Sequence, residues 1–397
     1  MASEAEWPTF GSEVLVWEPS DAEYGPRAGR SRRRGSFEAA VPARIARAEL
    51  RLDGSTMALV AEASAEIARL DGESLGSPMS YASLLLRTEA ASSSQIENLT
   101  SSPRAIALAE LGRRGRANAD EIIANVAAMK RALDGSERLD ADAVLAMHQV
   151  LMRDHMPGAA GRWRDSAVWI GGSAQSPHGA DYVAPRAGLV PQAMDDLAEF
   201  MARDDLPALA QTAVSHAQLE NIHPFPDGNG RTGRALMHAQ LRHAGLTRHV
   251  VVPISAGLLA ETERYFAALT AYRSGDDPQP IVVQVCEAVF PALRNARTLI
   301  AEVSEARDRW AGAIRARRGA SAWRLADLLV ERPVLDARLA AERLGVTTAN
   351  AQVAIDRLVE DGVLDQIGRG ARDRVWQAVE VIEAMERFAE RSHHRIV

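Results

Sequence analysis

Helix-forming residues dominate this chain from Phe37 onward, and this pattern limits the possible folds more than any other feature. This part of the chain is rich in alanine, leucine, glutamate and arginine, and all four favour helices. Apolar residues also return at helical spacing, as at Ile122, Val126 and Met129. Turn-forming residues such as those at 71–73 separate the apolar stretches. The sequence therefore predicts a mainly α-helical protein.

Composition sets the size and class of this protein. The chain has 397 residues, which at roughly 150 residues per domain predicts two or three domains. Hydrophobic residues make up 47% and charged residues 25%, as in folded globular proteins rather than disordered ones. The net charge of −7 argues against a protein that binds nucleic acid over its whole surface.

The cysteine content and the first residues of the chain indicate the cellular compartment in which the protein is expected. Cys286 stands alone in the sequence, which excludes a disulfide framework or a cysteine zinc site within one chain. The acidic first residues lack the apolar core of a signal peptide, and no apolar stretch has the length of a membrane span. These features predict a cytoplasmic protein with no membrane contact.

Changes in composition divide the chain into five segments. An arginine-rich and glycine-rich start predicts a disordered arm over residues 1–36. A helical region follows over 37–115, then a core over 116–290. A connecting helix is expected over 291–320 and ends in arginines before Gly319, and residues 321–397 form a separate C-terminal domain.

The C-terminal domain resembles a winged helix-turn-helix module. A short helix ends at Gly345, Thr347 can cap a second helix, and two short strands are expected after residue 364. The second helix, through Leu358, carries Arg357 as its one cation, which is little for contacts to DNA phosphates. A DNA-binding regulator therefore stays an alternative, beside target docking, dimer contact or packing.

One region interrupts the helical pattern. Trp169 and Ile170 are β-prone and precede Gly171 and Gly172, and a second β-prone run follows at 182–184. Two such runs around a turn-rich loop predict a β-hairpin.

Residues 223–234, His-Pro-Phe-Pro-Asp-Gly-Asn-Gly-Arg-Thr-Gly-Arg, carry the strongest functional signal. Three glycines and two prolines in twelve residues predict a loop. Helical sequence lies on both sides, at 208–222 and 231–244, so the loop leads into a helix N-terminus. Main-chain N–H groups near Gly228 and Gly230 can then face an anion together with the helix dipole.

The side chains of this segment suit chemistry at phosphorus. Arg231 and Arg234 share one helix face, where two guanidinium groups can hold a polyphosphate. Asp227 can ligate Mg²⁺ beside phosphates, and His223 can act as a general base near neutral pH. A Walker-type phosphate loop is excluded, because no Lys-Ser or Lys-Thr pair follows the glycines.

The whole segment resembles the signature of Fic-domain proteins. The matching elements are His223, Phe225, Asp227, Gly228, Asn229, Gly230, Arg231 and Arg234. The resemblance extends over roughly residues 37–290. It implies a helical fold and a protein adenylyltransferase, which moves AMP from ATP to a Ser, Thr or Tyr hydroxyl of a target protein with Mg²⁺. Relatives of this type often form dimers.

The resemblance assigns roles to residues. His223 would take the proton of the target hydroxyl, Asp227 would hold Mg²⁺, and Arg234 would hold the γ-phosphate. Phe225 is expected to anchor the loop in the core. The residues implied in nucleotide binding are Asp227, Gly228, Asn229, Gly230, Arg231, Thr232, Gly233, Arg234, Tyr265 and Phe266. Tyr265 and Phe266 would lie near the adenine, with a core position equally open for Phe266.

The predicted hairpin also fits the family. There, a β-hairpin covers the nucleotide and pairs with the main chain of the target. Trp169, Ile170, Gly171 and Gly172 would belong to this flap, which would hold the target by strand addition.

Residues 93–98, Ser-Ser-Gln-Ile-Glu-Asn, resemble the inhibitory motif of the family. The matching positions are Ser93, Glu97 and Asn98, on a helix expected to start near residue 80. The resemblance implies that the Glu97 carboxylate competes with the γ-phosphate for Arg234. Removal of AMP from a target, or transfer of another nucleotide or phosphate group on the same scaffold, stays an alternative.

Overall fold

The computed structural model describes residues 7–18, 35–75, 81–113, 117–173, 175–275, 277–368 and 373–393. These residues form fifteen α-helices and seven short strands. In chain order they are β1 Gly11–Trp17, β2 Gly35–Val41, α1 Gly54–Leu75, α2 Ala82–Ile96, α3 Pro103–Glu110, α4 Ala117–Asp134, α5 Ala141–Met152, β3 Trp169–Ile170, β4 Tyr182–Val183, α6 Val190–Met201, α7 Ala208–Ile222, α8 Asn229–His243, α9 Ile254–Ala260, α10 Thr262–Ser274, α11 Gln279–Ala313, α12 Ser321–Glu331, β5 Val334–Asp336, α13 Ala337–Leu344, α14 Thr348–Glu360, β6 Asp365–Ile367, β7 Val375–Gln377 and α15 Val379–His393. The fold is therefore mainly α, as the sequence predicts.

The strands form three small antiparallel sheets. β1 pairs with β2, with Gly11 opposite Val41 and Trp17 opposite Gly35. β3 pairs with β4 in the region where a hairpin is predicted. The third sheet has the order β5-β7-β6.

The chain divides into two compact units. The first contains Met1–Val60, Ala128–Ala244 and Glu263–Gln284, and the second contains Ala61–Ala127, Gly245–Thr262 and Val285–Val397. Each unit is thus assembled from segments distant in sequence.

Helix α7 runs through the core of the first unit. Every residue from Leu209 to Ile222 is buried, so the helix has no solvent-facing side. The amide of Gln218 makes two hydrogen bonds inside the unit: its Nε2 donates to the carbonyl oxygen of Ala43 at 2.9 Å, and its Oε1 accepts from the Tyr272 hydroxyl at 2.9 Å. α8 is buried along most of its length as well. The two helices that flank the loop at 223–228 therefore have firm support.

The first strand corrects the expectation of a disordered arm over residues 1–36. Residues 11–17 form β1, whereas the arginine-rich stretch at 30–34 lies outside the described residues. Exposure alternates along this strand: Val14 and Val16 are exposed, whereas Leu15 and Trp17 are half-buried. Such alternation is typical of a strand that packs on one face only. Trp17 meets Trp169 of β3 edge to face at 5.5 Å between ring centroids, which gives the strand a tertiary contact.

Helix α2 lies in the second unit, and a buried carboxylate on it connects it to helix α9. Glu89 is fully buried and accepts hydrogen bonds from the main-chain N–H of Ser255 at 2.9 Å and from the Ser255 hydroxyl at 2.5 Å. Since a buried carboxylate needs such partners, this contact fixes α2 to the start of α9.

The C-terminal part of the second unit has the expected order of helix, turn, helix and hairpin. α13 ends at Gly345, and the Thr347 hydroxyl caps α14 by accepting from the N–H of Asn350 at 3.2 Å. Strand β5 and helix α15 are additional elements. The expected connecting helix at 291–320 differs at both ends, because α11 already begins at Gln279 and ends at Ala313. The assignment to the winged-helix class stays a prediction.

Among the described residues, no helix combines the length and the apolar character that crossing a membrane requires.

Candidate active site

The loop with the signature joins α7 to α8 and is shorter than predicted, because the second helix begins at Asn229 rather than at Arg231. His223 and Gly228 stand at the two ends of the loop, both with left-handed backbones, at φ 48° and 79°. Asn229 holds the loop closed: its Oδ1 accepts from the N–H of Phe225 and its Nδ2 donates to the carbonyl of Phe225, each at 2.9 Å. The Asn229 side chain thus replaces two main-chain partners inside the loop.

His223 has a defined ring orientation. It caps the C-terminus of α7, is half-buried, and its Nδ1 lies 3.1 Å from the carbonyl oxygen of Glu220. A carbonyl can only accept a hydrogen bond, so Nδ1 carries the proton and Nε2 is the basic nitrogen. This tautomer is the one a general base needs.

Asp227 and Gly228 form the turn before α8. Asp227 Oδ1 accepts from the N–H of Gly228 at 2.6 Å, and Oδ2 lies 3.6 Å from Arg231 Nη2. A Cβ on Gly228 would lie 3.1 Å from Met152 Sδ and 3.2 Å from Leu151 Cδ2, so this position combines a positive φ with a close approach.

The Asp227 carboxylate fits a hard cation. Its side chain is 49% exposed and offers oxygen ligands. Among the described residues, no group of three or more His, Cys, Asp or Glu could hold a metal ion. Mg²⁺ usually binds through one or two carboxylates together with phosphates and water, and a single carboxylate such as Asp227 is compatible with that mode.

Two arginines occupy the first turns of α8. Arg231 is 3% exposed and Arg234 is 1% exposed, so both guanidinium groups are held inside the first unit rather than in solvent. The first N–H groups of α8 point out of the same helix end, and the helix dipole adds positive potential there. This end of α8 suits an anion with several charges.

Phe225 is fully buried, as predicted, and packs on a histidine that the motif does not contain. His148 of α5 stacks on the Phe225 ring with centroids 3.6 Å apart. Its Nε2 donates to the carbonyl of Asp227 at 3.1 Å and its Nδ1 accepts from the N–H of Gly161 at 3.1 Å. Burial lowers the pKa of His148 to about 4, so the ring is neutral at pH 7.

Arg164 holds the other side of the loop. This buried guanidinium donates from Nε to the carbonyl of His223 at 2.8 Å and from Nη1 to the carbonyl of Ser166 at 2.9 Å. Nη2 also donates to the carbonyls of Pro185 and Ile222. Burial lowers the pKa of Arg164 to about 10, which leaves the side chain charged at neutral pH. One cation therefore joins the end of α7 to both sides of the β3–β4 hairpin.

The hairpin lies in the first unit with the loop. Trp169 pairs with Val183 and Ile170 with Tyr182. Ile170, Gly171 and Gly172 are exposed, and the Tyr182 hydroxyl donates to the carbonyl of Asn221 in α7. The hairpin is thus attached to α7 while its tip faces solvent.

The two aromatic residues expected near the adenine differ in environment. Tyr265 is fully buried, and its hydroxyl shares a hydrogen bond of 2.7 Å with His216 Nε2. Phe266 is 48% exposed, so the core position left open for it is wrong. Burial, and then the charge of Arg234, lower the pKa of His216 to about 3.

The residues of the inhibitory motif end helix α2 in the second unit. Ser93 is fully buried, Ile96 is the last helical residue, and Glu97 is the exposed C-cap. Asn98 follows with φ 62°, a left-handed conformation that asparagine tolerates. The helix thus stops one residue before Glu97, where the sequence predicts that it continues.

Sequence reasoning missed Arg164 and His148. Each lies outside the signature, at 59 residues from His223 and 79 residues from Asp227 respectively. Neither belongs to a local motif. A buried arginine bonded to main-chain carbonyls has no signature in a single sequence.

Curated relatives match a part of the chain. It is 33% identical over 113 residues to the protein adenylyltransferase Fic of Nematostella vectensis, covering 28% of this chain and 24% of the relative. It is 26% identical over 143 residues to the protein adenylyltransferase fic-1 of Caenorhabditis elegans, covering 35% of this chain and 25% of the relative. The chain spans about a quarter of the length of these relatives.

A solved structure covers more of the chain, and two family models match neighbouring parts of it. A Fic family protein from Desulfovibrio desulfuricans shares the fold, with a TM-score of 0.54 and 24% identity over 83% of this chain and 97% of that one. Residues 57–134 match the model of the Fic/DOC family N-terminal region, and residues 138–241 match the Fic/DOC family model. The second match contains the loop, all of α7, most of α8, Arg164 and His148, so the part of the chain that carries the candidate site is similar to the Fic/DOC family.

Proposed function

We propose that this protein is a protein adenylyltransferase, which transfers AMP from ATP to a hydroxyl side chain of a target protein. One arrangement carries the proposal. A histidine whose Nε2 carries no proton ends α7, and two buried arginines lie at the start of α8, on the other side of the same short loop. A base beside a polyphosphate site suits transfer at phosphorus. The relatives named protein adenylyltransferase support the choice of reaction.

In the proposed reaction, His223 Nε2 accepts the proton of a Ser, Thr or Tyr hydroxyl. The hydroxyl oxygen attacks the α-phosphorus of ATP, the new P–O bond forms, and the bond to the bridging oxygen breaks to release pyrophosphate. Arg234 would hold the γ-phosphate, while Arg231 and the N–H groups near Gly228 would hold the other phosphates.

Asp227 would hold Mg²⁺ in this site. A bound Mg²⁺ would neutralise part of the negative charge of the phosphates. The protein's own contribution is the orientation of that carboxylate through the N–H of Gly228.

Glu97 is proposed as a restraint on transfer. The proposal rests on the resemblance of residues 93–98 to the inhibitory motif. The exposed flap residues Ile170, Gly171 and Gly172 are proposed to receive the main chain of the target by strand addition.

Labelled ATP tests the reaction. The protein, with Mg²⁺ and a cell extract, is incubated with ATP labelled at either the α- or the γ-phosphate, and labelled proteins are separated and counted. Transfer of the α-label alone is expected. Transfer of the γ-label alone would overturn the proposal in favour of phosphate transfer.

A histidine variant tests the base. His223→Ala should abolish labelling and keep ATP binding, because the arginines and the main-chain donors remain. His249→Ala, at an exposed histidine, is the matched control and should label normally. Substantial labelling by His223→Ala would show that another group removes the proton.

A further inference from the structure

The second unit contains a cavity that the proposed reaction does not use. Its volume is about 430 Å³, within the range of small-molecule sites. It lies between α2, α15 and the segment at 99–103. Most of its wall is apolar, and the apolar lining includes Ala91, Leu99, Ile106, Ile122, Met385 and Phe388.

Three polar groups of this cavity have no hydrogen-bond or ion-pair partner among the residues that the structure describes. Ser101 Oγ is buried and makes no hydrogen bond within the described part of the chain. Glu386 is half-buried and Glu390 is exposed, and neither forms an ion pair with a residue that the structure describes. Glu386 and Glu390 lie one helical turn apart on α15, where like charges repel each other.

Two neighbouring arginines are engaged elsewhere. Arg87 lines the cavity, but its Nε donates to Glu110 at 2.8 Å and its Nη1 donates to the carbonyl of Ser83 at 3.2 Å. On α15, Arg391 pairs with Glu302 at 2.9 Å. The cavity therefore combines an apolar interior with a carboxylate pair, and the two arginines named above are held by other carboxylates.

We propose that this cavity binds a small amphipathic amine. The apolar body would fill the space between α2 and α15, and the ammonium group would lie against Glu386 and Glu390. A cation there relieves the repulsion between the two carboxylates, and the partly buried position of Glu386 limits solvent screening. An anion with the same body meets the opposite field and should be excluded.

Three probes with one carbon skeleton test this charge preference on the full chain. They are 4-phenylbutylamine, 4-phenyl-1-butanol and 4-phenylbutyrate, each titrated by calorimetry at low salt. The amine should bind with one site per chain and about tenfold more tightly than the alcohol, which corresponds to about 1.4 kcal/mol. The acid should bind more weakly than the alcohol. Equal affinities of amine and acid, or no binding of the amine at millimolar concentration, would overturn the proposal.

Variants locate the site. Glu386→Gln should weaken the amine about fivefold to tenfold and leave the alcohol unchanged, as expected for loss of one charged partner. Glu383→Gln is the matched control, because Glu383 lies on the same helix outside the cavity and is exposed. Equal effects of the two variants on the amine would place the binding elsewhere.

Ala91→Phe should fill the cavity and abolish binding of both amine and alcohol. Unchanged binding by a folded Ala91→Phe protein would also overturn the proposal. If this variant does not fold, the probe series on the unaltered chain still decides between the outcomes. None of these measurements depends on transferase activity.

Discussion

The Nε of Arg164 donates to the carbonyl oxygen of His223 at 2.8 Å, and this bond links a buried cation to the main chain of the proposed base. Because His223 terminates α7 in a left-handed conformation, its carbonyl has no partner within the helix. Arg164 supplies that partner and, through the carbonyl of Ser166, also holds the segment before β3. One side chain therefore holds both the proposed base and the segment that leads into the proposed flap.

Replacement of Arg164 by lysine should separate the effect of its positive charge from the effect of its planar, multiple hydrogen bonding. Lysine keeps the positive charge but loses the planar fork that serves several carbonyls at once. We expect Arg164→Lys to lower kcat at least about tenfold with little change in KM for ATP, and to lower the free energy of unfolding by ~2 kcal/mol. Steady-state transfer assays and urea denaturation measure the two effects.

Arg162→Lys is the control for this substitution, since Arg162 is exposed and two residues away. It should behave as the unaltered protein. Equal behaviour of the two variants would refute a positioning role for Arg164.

Asn229 should matter for the stability of the loop. Its two hydrogen bonds to Phe225 are buried, so Asn229→Ala leaves one donor and one acceptor without partners. We expect a loss of ~2–3 kcal/mol in the free energy of unfolding. Asn118→Ala, which removes one exposed bond to the carbonyl of Thr100, should lose less than ~1 kcal/mol. Equal losses in denaturant titrations would contradict the proposed closure of the loop by Asn229.

Two glycines with the same backbone angle allow crowding to be measured apart from backbone strain. Gly228 and Gly179 both have φ 79°, but a Cβ on Gly179 meets nothing within 4 Å. Alanine at Gly179 should cost ~1 kcal/mol from the positive φ alone, and alanine at Gly228 should cost ~1 kcal/mol more from contact with Met152 and Leu151. Thermal unfolding gives the difference, and ATP titration should show weaker binding for Gly228→Ala alone. A larger loss at Gly179 would be inconsistent with the close approach at Gly228.

His148 should make stability depend on pH in the acid range. Its pKa falls from an unfolded value near 6.5 to about 4 in the folded protein, so the unfolded chain binds more protons between these values. Stability from this residue is therefore complete above pH 6.5 and is lost as the pH falls toward 4. The difference corresponds to about 3 kcal/mol.

Unfolding free energies of the unaltered protein and of His148→Gln, measured from pH 7 to pH 4, test this dependence. The curve of the variant should be flatter across that window. Parallel curves would show that the His148 ring is not held neutral in the folded state.

Glu97→Gly should raise self-labelling with ATP and Mg²⁺ by about tenfold, within the usual range of coupling between two sites. The reason is the competition that the family resemblance predicts between this carboxylate and the γ-phosphate for Arg234. Asn98→Gly is the control, because glycine suits the φ of 62° there and the carboxylate remains. Unchanged labelling by Glu97→Gly would argue against a restraint by this residue.

Local sequence patterns predicted the elements that depend on adjacent residues. Helix 208–222 has the predicted bounds, and the helix ends near Gly345 and Thr347 follow the capping residues. The start of α8 at Asn229 differs from the prediction, because the side chain of Asn229 bonds back to Phe225 and closes the loop earlier. Residues 11–17 also differ from the prediction, because they form a strand where a disordered arm was expected. This strand depends on its partner β2 and on Trp169, which are distant in sequence.

The sequence by itself determined the helical class and the loop between α7 and α8, and it placed in that loop the residues that we propose for phosphate chemistry, because these features depend on spacing along a few turns of chain. Only the tertiary structure decided that His148 is neutral and donates to the carbonyl of Asp227, and that Arg164 donates to the carbonyl of His223. It also decided that Tyr265 is buried whereas its neighbour Phe266 is exposed. These features arise when segments tens of residues apart meet in a low-dielectric interior, where hydrogen-bond partners and burial set protonation and orientation.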